Sequence, residues 1–478
     1  MIQLRWKTYL FYLLLATSPS AYSSEDINTV TAIVDDAFEG FSEPATMVFT
    51  PTGTNPSGSF AYIVNYNDLT VNIVDTATNT VVAIVDDSFS SFDFPNGIAI
   101  TPDGLTLYVS NDYYDEVCII DALTYVMYAR VNDEAEGLFD YPTAIAITPD
   151  GSTLYVLNGS GDCQVVIVDV ATNTVTGVVS GTSLTDPVAI AITPDGTTAY
   201  VTDSSNNTVS IIDIATNICT GVVDDTLGAF NFPAGLAISP DGTLLYVANY
   251  NGGEGSFGTV SIIDITTASV IGLVDDPGST FLHPYGIVIH PSGSTVYVAN
   301  EGDGEFLGSV SIIDVATQTV TGVIDDTLYA FNQPVMLGIS PAGTPLYVSN
   351  QGSNQVSVVS TPEYIAILPP TNLVGRSMQN SFLSQINLIN AIGFDAPESG
   401  TVPVAYKIYK NSSLSAAACI GIVSVPTVLP LESTFVFLDG HKQYSTTYTY
   451  YVTSVDAEGN ESEPVSISIT TIANPRNL

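Results

Sequence analysis

The sequence predicts an all-β chain: a seven-bladed β-propeller closed by an N-terminal strand, followed by a C-terminal β-sandwich. Three observations predict it. A self-similar unit recurs from near residue 44 to near residue 360. Its leading prolines, Pro44, Pro95, Pro142, Pro187, Pro233, Pro284 and Pro334, are 51, 47, 45, 46, 51 and 50 residues apart. Every unit consists of short apolar runs rich in Val, Ile, Thr and Tyr, which suit pleated, packed strands. A period in this range made of four such runs is the pattern of a propeller blade.

The elements follow in order. In the clearest copy, Pro233 to Gly242 is followed by Leu244 to Asn249, Val260 to Asp264 and Val270 to Asp276. Gly-Ile-Ala-Ile (Gly97 to Ile100) reads as an innermost strand packed on both faces. Thr-Pro-Asp-Gly (Thr101 to Gly104) reads as a tight turn, because Pro fixes φ and Gly tolerates positive φ. Leu107 to Asn111 and Val117 to Asp121 are the second and third strands, and Ala-Thr-Asn-Thr (Ala77 to Thr80, Ala171 to Thr174) turns into the fourth. Alternation in strands two to four predicts half-buried positions. The seventh unit stops at Val356 to Ser360 without a fourth strand, while Val30 to Asp36 is a fourth strand with no preceding three. Joining them closes the ring and removes its open edges.

Leu-Tyr-Val-x-Asn, Val-x-Ile-Ile-Asp and Ala-Thr-Asn-Thr-Val together resemble the YVTN-type β-propeller repeat, with Tyr200-Val-Thr-Asp203 nearest its namesake. The resemblance covers roughly residues 29 to 361. It implies fold more than function, since fold does not fix chemistry. Proteins of this type include exported proteins and surface-layer-type proteins, and related propellers include lactonases.

The expected domains are a signal peptide at 1–23, the propeller at 24–365 and a sandwich at 366–478. Arg5 and Lys7, the apolar stretch Tyr9 to Ala16 and the small residues around Ala21-Tyr22-Ser23 form a secretory signal. That stretch is too short to span a bilayer. The expected location is therefore outside the cytoplasm of a bacterium: secreted, periplasmic or at the cell surface, with no membrane insertion after cleavage. In the tail, Pro370 to Leu373, Val404 to Tyr409, Phe437 to Asp439 and Tyr448 to Asp456 are strand-like. They resemble a fibronectin type III domain in which Phe394 takes the place of the usual core Trp, and about 100 residues of short antiparallel strands suit such a sandwich.

The net charge is −41, with only 8 Lys and Arg in 478 residues. Between Ser24 and Pro362 the one basic side chain is Arg130. Such a surface repels phosphate backbones and anionic headgroups, so nucleic acid and membrane surfaces are not expected as partners. Divalent cations and basic protein surfaces are compatible with it. Cys118, Cys163, Cys219 and Cys419 have irregular spacing, and free buried thiols are expected.

Asp-Asp pairs end the fourth strands at Asp35-Asp36, Asp86-Asp87, Asp224-Asp225, Asp275-Asp276 and Asp325-Asp326. The topology puts them on the same face as the loops between second and third strands. Ca²⁺ takes several carboxylate and carbonyl oxygens, so Asp224, Asp225, Asp275, Asp276, Asp325 and Asp326 are candidate Ca²⁺ ligands. The competing reading is a strand end whose carboxylates cap backbone N–H groups. No Asp-x-Asp-x-Asp-Gly spacing is present. The recurring Asp after the third strand (Asp75, Asp121, Asp169, Asp213, Asp264, Asp314) reads as a turn cap.

Two loops, Asn249 to Gly258 and Asn300 to Gly308, are longer than their counterparts, acidic and Gly-rich. Variable loops on a rigid scaffold are where binding usually resides. Tyr250, Glu254, Phe257, Asp303, Glu305 and Phe306 are therefore the candidate binding residues. No catalytic triad or phosphate loop is visible, and His283 and His290 stand roughly 23 Å apart along an extended strand, too far to share a metal. The sequence thus favours an exported propeller that binds a protein or small-molecule ligand on its acidic loop face. A structural cell-surface component and a lactonase-like hydrolase are the alternatives.

Overall fold

The computed structural model describes residues 28–34, 40–52, 54, 59–85, 92–131, 137–161, 163–250, 257–274, 281–302, 308–324 and 331–361, and in the C-terminal part 371–382, 385–395, 405–410, 419–424, 434–439, 446–455 and 465–470. The chain divides into two compact units, Met1–Tyr364 and Ile365–Leu478.

The first unit contains seven four-stranded antiparallel sheets, the blades of a propeller. Blade 1 consists of Pro44–Phe49, Phe60–Asn65, Thr70–Asp75 and Thr80–Val85. Blades 2 to 6 begin at Pro95, Pro142, Pro187, Pro233 and Pro284. Blade 7 has Pro334–Ile339, Leu346–Asn350 and Gln355–Ser360 from the end of the ring, and its fourth strand is the N-terminal Thr29–Ile33. Thr29 pairs with Ser360 and Ile33 with Ser357, antiparallel. The backbone N–H of Asn28 donates to Ser360 at 2.6 Å and that of Val34 to Val356 at 2.9 Å. The ring is closed as the sequence predicts.

Burial differs in detail from the alternation expected. Second and third strands are buried along almost their whole length, as in Phe60–Asn65, and alternation survives only in fourth strands such as Thr319–Ile324. The innermost strands are half-exposed beyond their proline, as in Pro187–Ile192. The reason is geometric. A neighbouring blade covers both faces of the middle strands, whereas the innermost strand also borders the axis of the ring and the outermost borders solvent.

Turn chemistry follows the repeat. Gly104 closes Thr101–Gly104 with φ +71°, and Asp103 accepts from the Leu105 N–H at 3.0 Å. After the third strand, Asp75 accepts from the N–H groups of Ala77 and Thr78 at 2.8 and 3.1 Å. Asp121, Asp169, Asp213, Asp264 and Asp314 do the same for the Thr three residues on. The expected capping role is seen in all six. Cys118, Cys163 and Cys219 are in no disulfide among the described residues, and the first two are buried.

Two features hold blade to blade. A Tyr in the second strand of every blade is fully buried: Tyr62, Tyr108, Tyr155, Tyr200, Tyr246, Tyr297 and Tyr347. In four blades its hydroxyl reaches the third-to-fourth-strand turn of the next blade, from Tyr62 to the Ala122 carbonyl at 3.2 Å, Tyr108 to Asn173 at 2.7 Å, Tyr155 to Asn217 at 2.5 Å and Tyr347 to Asn79 at 2.7 Å. Tyr297 bonds Asn28 at 2.9 Å, so the N-terminal strand supplies blade 7 with the same acceptor. The second feature lies three residues before each leading proline. Phe41, Phe92, Phe139, Phe230, Phe281 and Phe331 are buried there, with Leu184 in the seventh case.

The second unit has a three-stranded and a four-stranded antiparallel sheet. In chain order its strands are Thr371–Phe382, Gln385–Asp395, Ala405–Lys410, Cys419–Ser424, Thr434–Asp439, Thr447–Val455 and Val465–Thr470. The first, second and fifth form one sheet, and the fourth, third, sixth and seventh the other. Tyr406, Ile408, Tyr450, Val452 and Ile469 pack as its core.

Candidate functional site

The loop face is built from two positions per blade. One is the residue before the leading proline: Glu43, Phe94, Tyr141, Asp186, Phe232, His283 and Gln333. The other follows the buried Asn or Asp that ends the second strand: Tyr66, Asp112, Gly159, Ser204, Tyr250, Glu301 and Gln351. In every blade the N–H of the second position donates to the carbonyl of the first, with N···O distances of 2.8 to 3.2 Å. This sevenfold bond sets both side chains around the mouth of the ring, and the blades differ mainly in what they carry there.

The pre-proline residue has an unusual backbone. Except for Asp186, all have φ between +48° and +57°. Neither a non-glycine residue nor a residue preceding Pro favours that region. The surroundings enforce it: the buried Phe three residues before the proline anchors the incoming chain, and the sevenfold bond fixes the carbonyl. Side chains of the preceding blade also cap this residue, since Asp115 accepts from the Tyr141 N–H at 2.8 Å, Asn207 from Phe232 at 2.7 Å and Asn354 from Glu43 at 2.9 Å.

Aromatic side chains collect on this face in two stretches. Across blades 1 to 3 lie Tyr66, Phe94, Tyr113, Tyr114 and Tyr141, and across blades 5 and 6 lie Phe232, Tyr250, Phe257, His283 and Tyr285. Tyr113, Tyr114, Tyr141, Phe232 and Phe257 are all more than two-fifths exposed. Tyr66 packs on Phe94 with ring centroids 5.0 Å apart. At the equivalent place between blades 5 and 6, Tyr250 stacks on His283 at 4.6 Å with an 11° interplanar angle and meets the edge of Tyr285 at 6.2 Å. His283 is fixed by its Nδ1 contact to the Gly302 carbonyl at 2.9 Å.

Carboxylates stand beside both stretches. Burial, then a hydrogen bond to Glu301 and the Glu301 charge, push the Tyr250 phenol up to about 12. Burial, Glu301 and Asp186 raise that of Tyr285. Tyr66 is raised by burial and by Asp112, Glu43 and Asp93. Asp112 is itself held above the usual carboxylate range by burial and by Asp115 and Asp93, and one of its carboxylate oxygens is buried without a hydrogen-bond partner. The propeller's one cation is engaged elsewhere: Arg130 pairs with buried Glu116 at 3.4 Å.

Of the binding residues expected from sequence, Tyr250 and Phe257 fall among the described residues and both lie on this face, Tyr250 at the centre of the aromatic group. Glu254, Asp303, Glu305 and Phe306 lie outside the described residues. Each long loop ends in a glycine pressed on the next blade. A Cβ on Gly258 would come 2.3 Å from Pro284 and one on Gly308 2.1 Å from Pro334.

Among the candidate metal ligands, Asp275, Asp276, Asp325 and Asp326 lie outside the described residues. Asp224 and Asp225 are described, and both have structural partners. Asp224 exchanges backbone hydrogen bonds with Ala268 and Val270 on the outer strand of blade 5 at 2.9 and 3.0 Å. Asp225 caps the N–H groups of Ala229 and Phe230 at 2.8 and 3.0 Å. For the Asp225 carboxylate this is the capping geometry of the competing reading, whereas the Asp224 bonds are made by its backbone. Among the described residues no three His, Cys, Asp or Glu side chains are grouped to hold a metal. His290 is buried, 2.7 Å from the Ser292 hydroxyl.

Sequence reasoning did not bring His283, Tyr285 or the Tyr66–Phe94 pair into the site. For His283, Tyr66 and Phe94 the signal was positional: an aromatic or His immediately before the blade proline or immediately after the Asn of the second strand, whereas Tyr285 directly follows its proline.

A family model described as "Lactonase, 7-bladed beta-propeller" matches residues 42–188, which span blades 1 to 3. Among curated protein sequences nothing matches this chain. Solved structures resembling it include Kuenenia stuttgartiensis hydrazine synthase, with 21% identity over 72% of this chain and 100% of that one and a TM-score of 0.56. A chain of the mitotic checkpoint complex has 14% identity over 75% of this chain and 100% of its own, with a TM-score of 0.56. The β-propeller domain of Cps50 (Swd1) from Myceliophteria thermophila has 13% identity over 70% and 100%, with a TM-score of 0.53. At these identities the likeness is one of fold.

Proposed function

We propose that this chain is an exported binding scaffold: a rigid propeller of the YVTN-repeat type, with the aromatic and acidic loop face as its binding side. A fibronectin type III-like unit follows the propeller. The observation that carries the reading is the distribution of variation within the repeat. The opposite face repeats its Asp caps blade after blade, whereas the seven pre-proline positions of the loop face carry Glu, Phe, Tyr, Asp, Phe, His and Gln. Exposed aromatics concentrated among such positions are what interface cores are made of. For the second unit, the strand order that puts the first, second and fifth strands in one sheet and the other four in the second supports the fibronectin reading. The signal-like residues 1–23 support export. They lie outside the described residues, and N-terminal sequencing of the protein recovered from a culture supernatant or periplasm tests the cleavage.

The test of the binding face compares the protein with a Tyr113→Ala, Tyr141→Ala, Phe232→Ala variant on peptide and glycan arrays. Ligands bound by the first and lost by the second are expected. Identical binding patterns would remove the loop face from the reading.

The match of blades 1 to 3 to the lactonase propeller favours a second reading, a lactonase-like hydrolase. Assaying a panel of chromogenic lactones, with and without added Ca²⁺, separates the two. Turnover abolished by Asp112→Asn would favour the hydrolase.

A further inference from the structure

We propose that the loop face takes a basic protein segment as its ligand, seating Lys or Arg side chains against the Tyr250–His283–Tyr285 group beside Glu301 and Asp186. This rests on the loop face being the binding side.

The first argument is charge complementarity. Among the described residues the carboxylates of this face have no Lys or Arg partner. Arg130 is the only Lys or Arg between residues 24 and 362, and it is tied to Glu116. Burial first, and then the charges of neighbouring carboxylates, raises the proton affinity of Asp112, Tyr66 and Tyr285. A bound cation offsets those charges.

The second argument is the aromatic groups. An ammonium or guanidinium over the face of an aromatic ring is attracted by the ring quadrupole, more strongly where water is excluded. Tyr250 is held for this by its stack on His283 and its edge contact with Tyr285, with the Glu301 carboxylate acting on its phenol. Its orientation is therefore set before a ligand arrives, so little ordering cost remains for binding.

The third argument selects a polymer over a small amine. The Tyr66–Phe94 pair, with Asp112, Asp93 and Glu43 acting on it, repeats the arrangement between blades 1 and 2. Two equivalent seats on one face suit a chain carrying several cations, and linking two weak contacts in one ligand strengthens both.

The experiment measures fluorescence anisotropy of labelled oligolysine and oligoarginine peptides against the full protein. Oligoglutamate and Gly-Ser peptides of equal length serve as comparisons. Variants are Tyr250→Ala, Glu301→Gln and, on the opposite face, Asp264→Asn, which removes the same charge as Glu301→Gln. Basic peptides are expected to bind more tightly than the others and to weaken with added salt. Tyr250→Ala and Glu301→Gln should each weaken binding about three- to tenfold, with Asp264→Asn close to the unmodified protein. Melting curves show that each variant is folded. Equal weakening by Asp264→Asn would mean attraction to bulk charge only and overturn the proposal, as would basic peptides binding no better than Gly-Ser. In that last case the array comparison separates the outcomes. Loop-face-dependent ligands lacking positive charge would leave the binding scaffold standing and remove only the basic ligand, whereas no such ligands would remove both.

Discussion

At the scale of single residues, the two positions most out of balance are Asp112 and Tyr246. Asp112 is raised by burial and like charges, so its charged form costs the fold stability at neutral pH. As pH falls from neutrality toward the ordinary carboxylate range, the folded chain takes up this proton before the unfolded chain does, and stability rises on its account. Asp112→Asn should therefore raise Tm at pH 7 and flatten that part of the Tm profile. A lowered Tm at pH 7 would argue against it. Tyr246 has a buried hydroxyl without an acceptor, because the turn that faces it in blade 6 carries Gln318 where Asn79, Asn173 and Asn217 stand in other blades. Gln318 sits at φ +55°, a conformation Asn tolerates well. Gln318→Asn should stabilise by about 1 kcal/mol. Tyr246→Phe should cost more in that variant than in the unmodified chain, and a double-mutant cycle in urea measures the coupling. The residues of the candidate site were partly legible at this scale. Tyr250 and Phe257 stood out as aromatics in long acidic loops. His283, 33 residues further on, did not, because its stack on Tyr250 depends on how one blade sits on the next.

At the scale of elements, the N-terminal strand is the test of closure. It completes blade 7 with four paired positions and supplies the Asn28 acceptor for Tyr297. Removing residues 28 to 36 leaves Gln355–Ser360 as an open edge and a buried tyrosine hydroxyl unpaired. Tm should drop by roughly 5–10 °C and aggregation should increase, as open strand edges promote. An unchanged Tm would refute the closing role. The sequence showed this element plainly, since a fourth strand without three predecessors needs a partner missing its fourth. It did not show the blade-to-blade tyrosine bonds, whose partners lie 62 to 65 residues apart for Tyr155 and Tyr108. Nor did it show the left-handed backbone before the prolines, which local preference opposes and which tertiary contacts impose.

At the scale of the whole molecule, a net charge of −41 makes self-repulsion a standing cost. Added monovalent salt should raise Tm by a few degrees through screening, and a Tm insensitive to salt would contradict it. Acid acts in the opposite sense on the capping aspartates. Asp121, Asp150, Asp195 and Asp314 are held below the usual carboxylate range chiefly by hydrogen bonds from turn hydroxyls and N–H groups. Their contribution is present above about pH 4, the ordinary value for an unfolded Asp, and is lost as pH falls through their lowered folded values. Tm should accordingly hold down to that point and fall steeply below it.

The sequence by itself determined the blade count, the four-strand plan of the blades, the closure by the first strand and the caps that end the third strands. These are local patterns repeated seven times, and repetition makes a weak local signal certain. Tertiary structure alone decided which strands are buried and how the pre-proline residues are turned. It also decided which aromatic and acidic side chains meet on the loop face. Those depend on the packing of one blade against the next, between residues that the chain separates by about a blade's length.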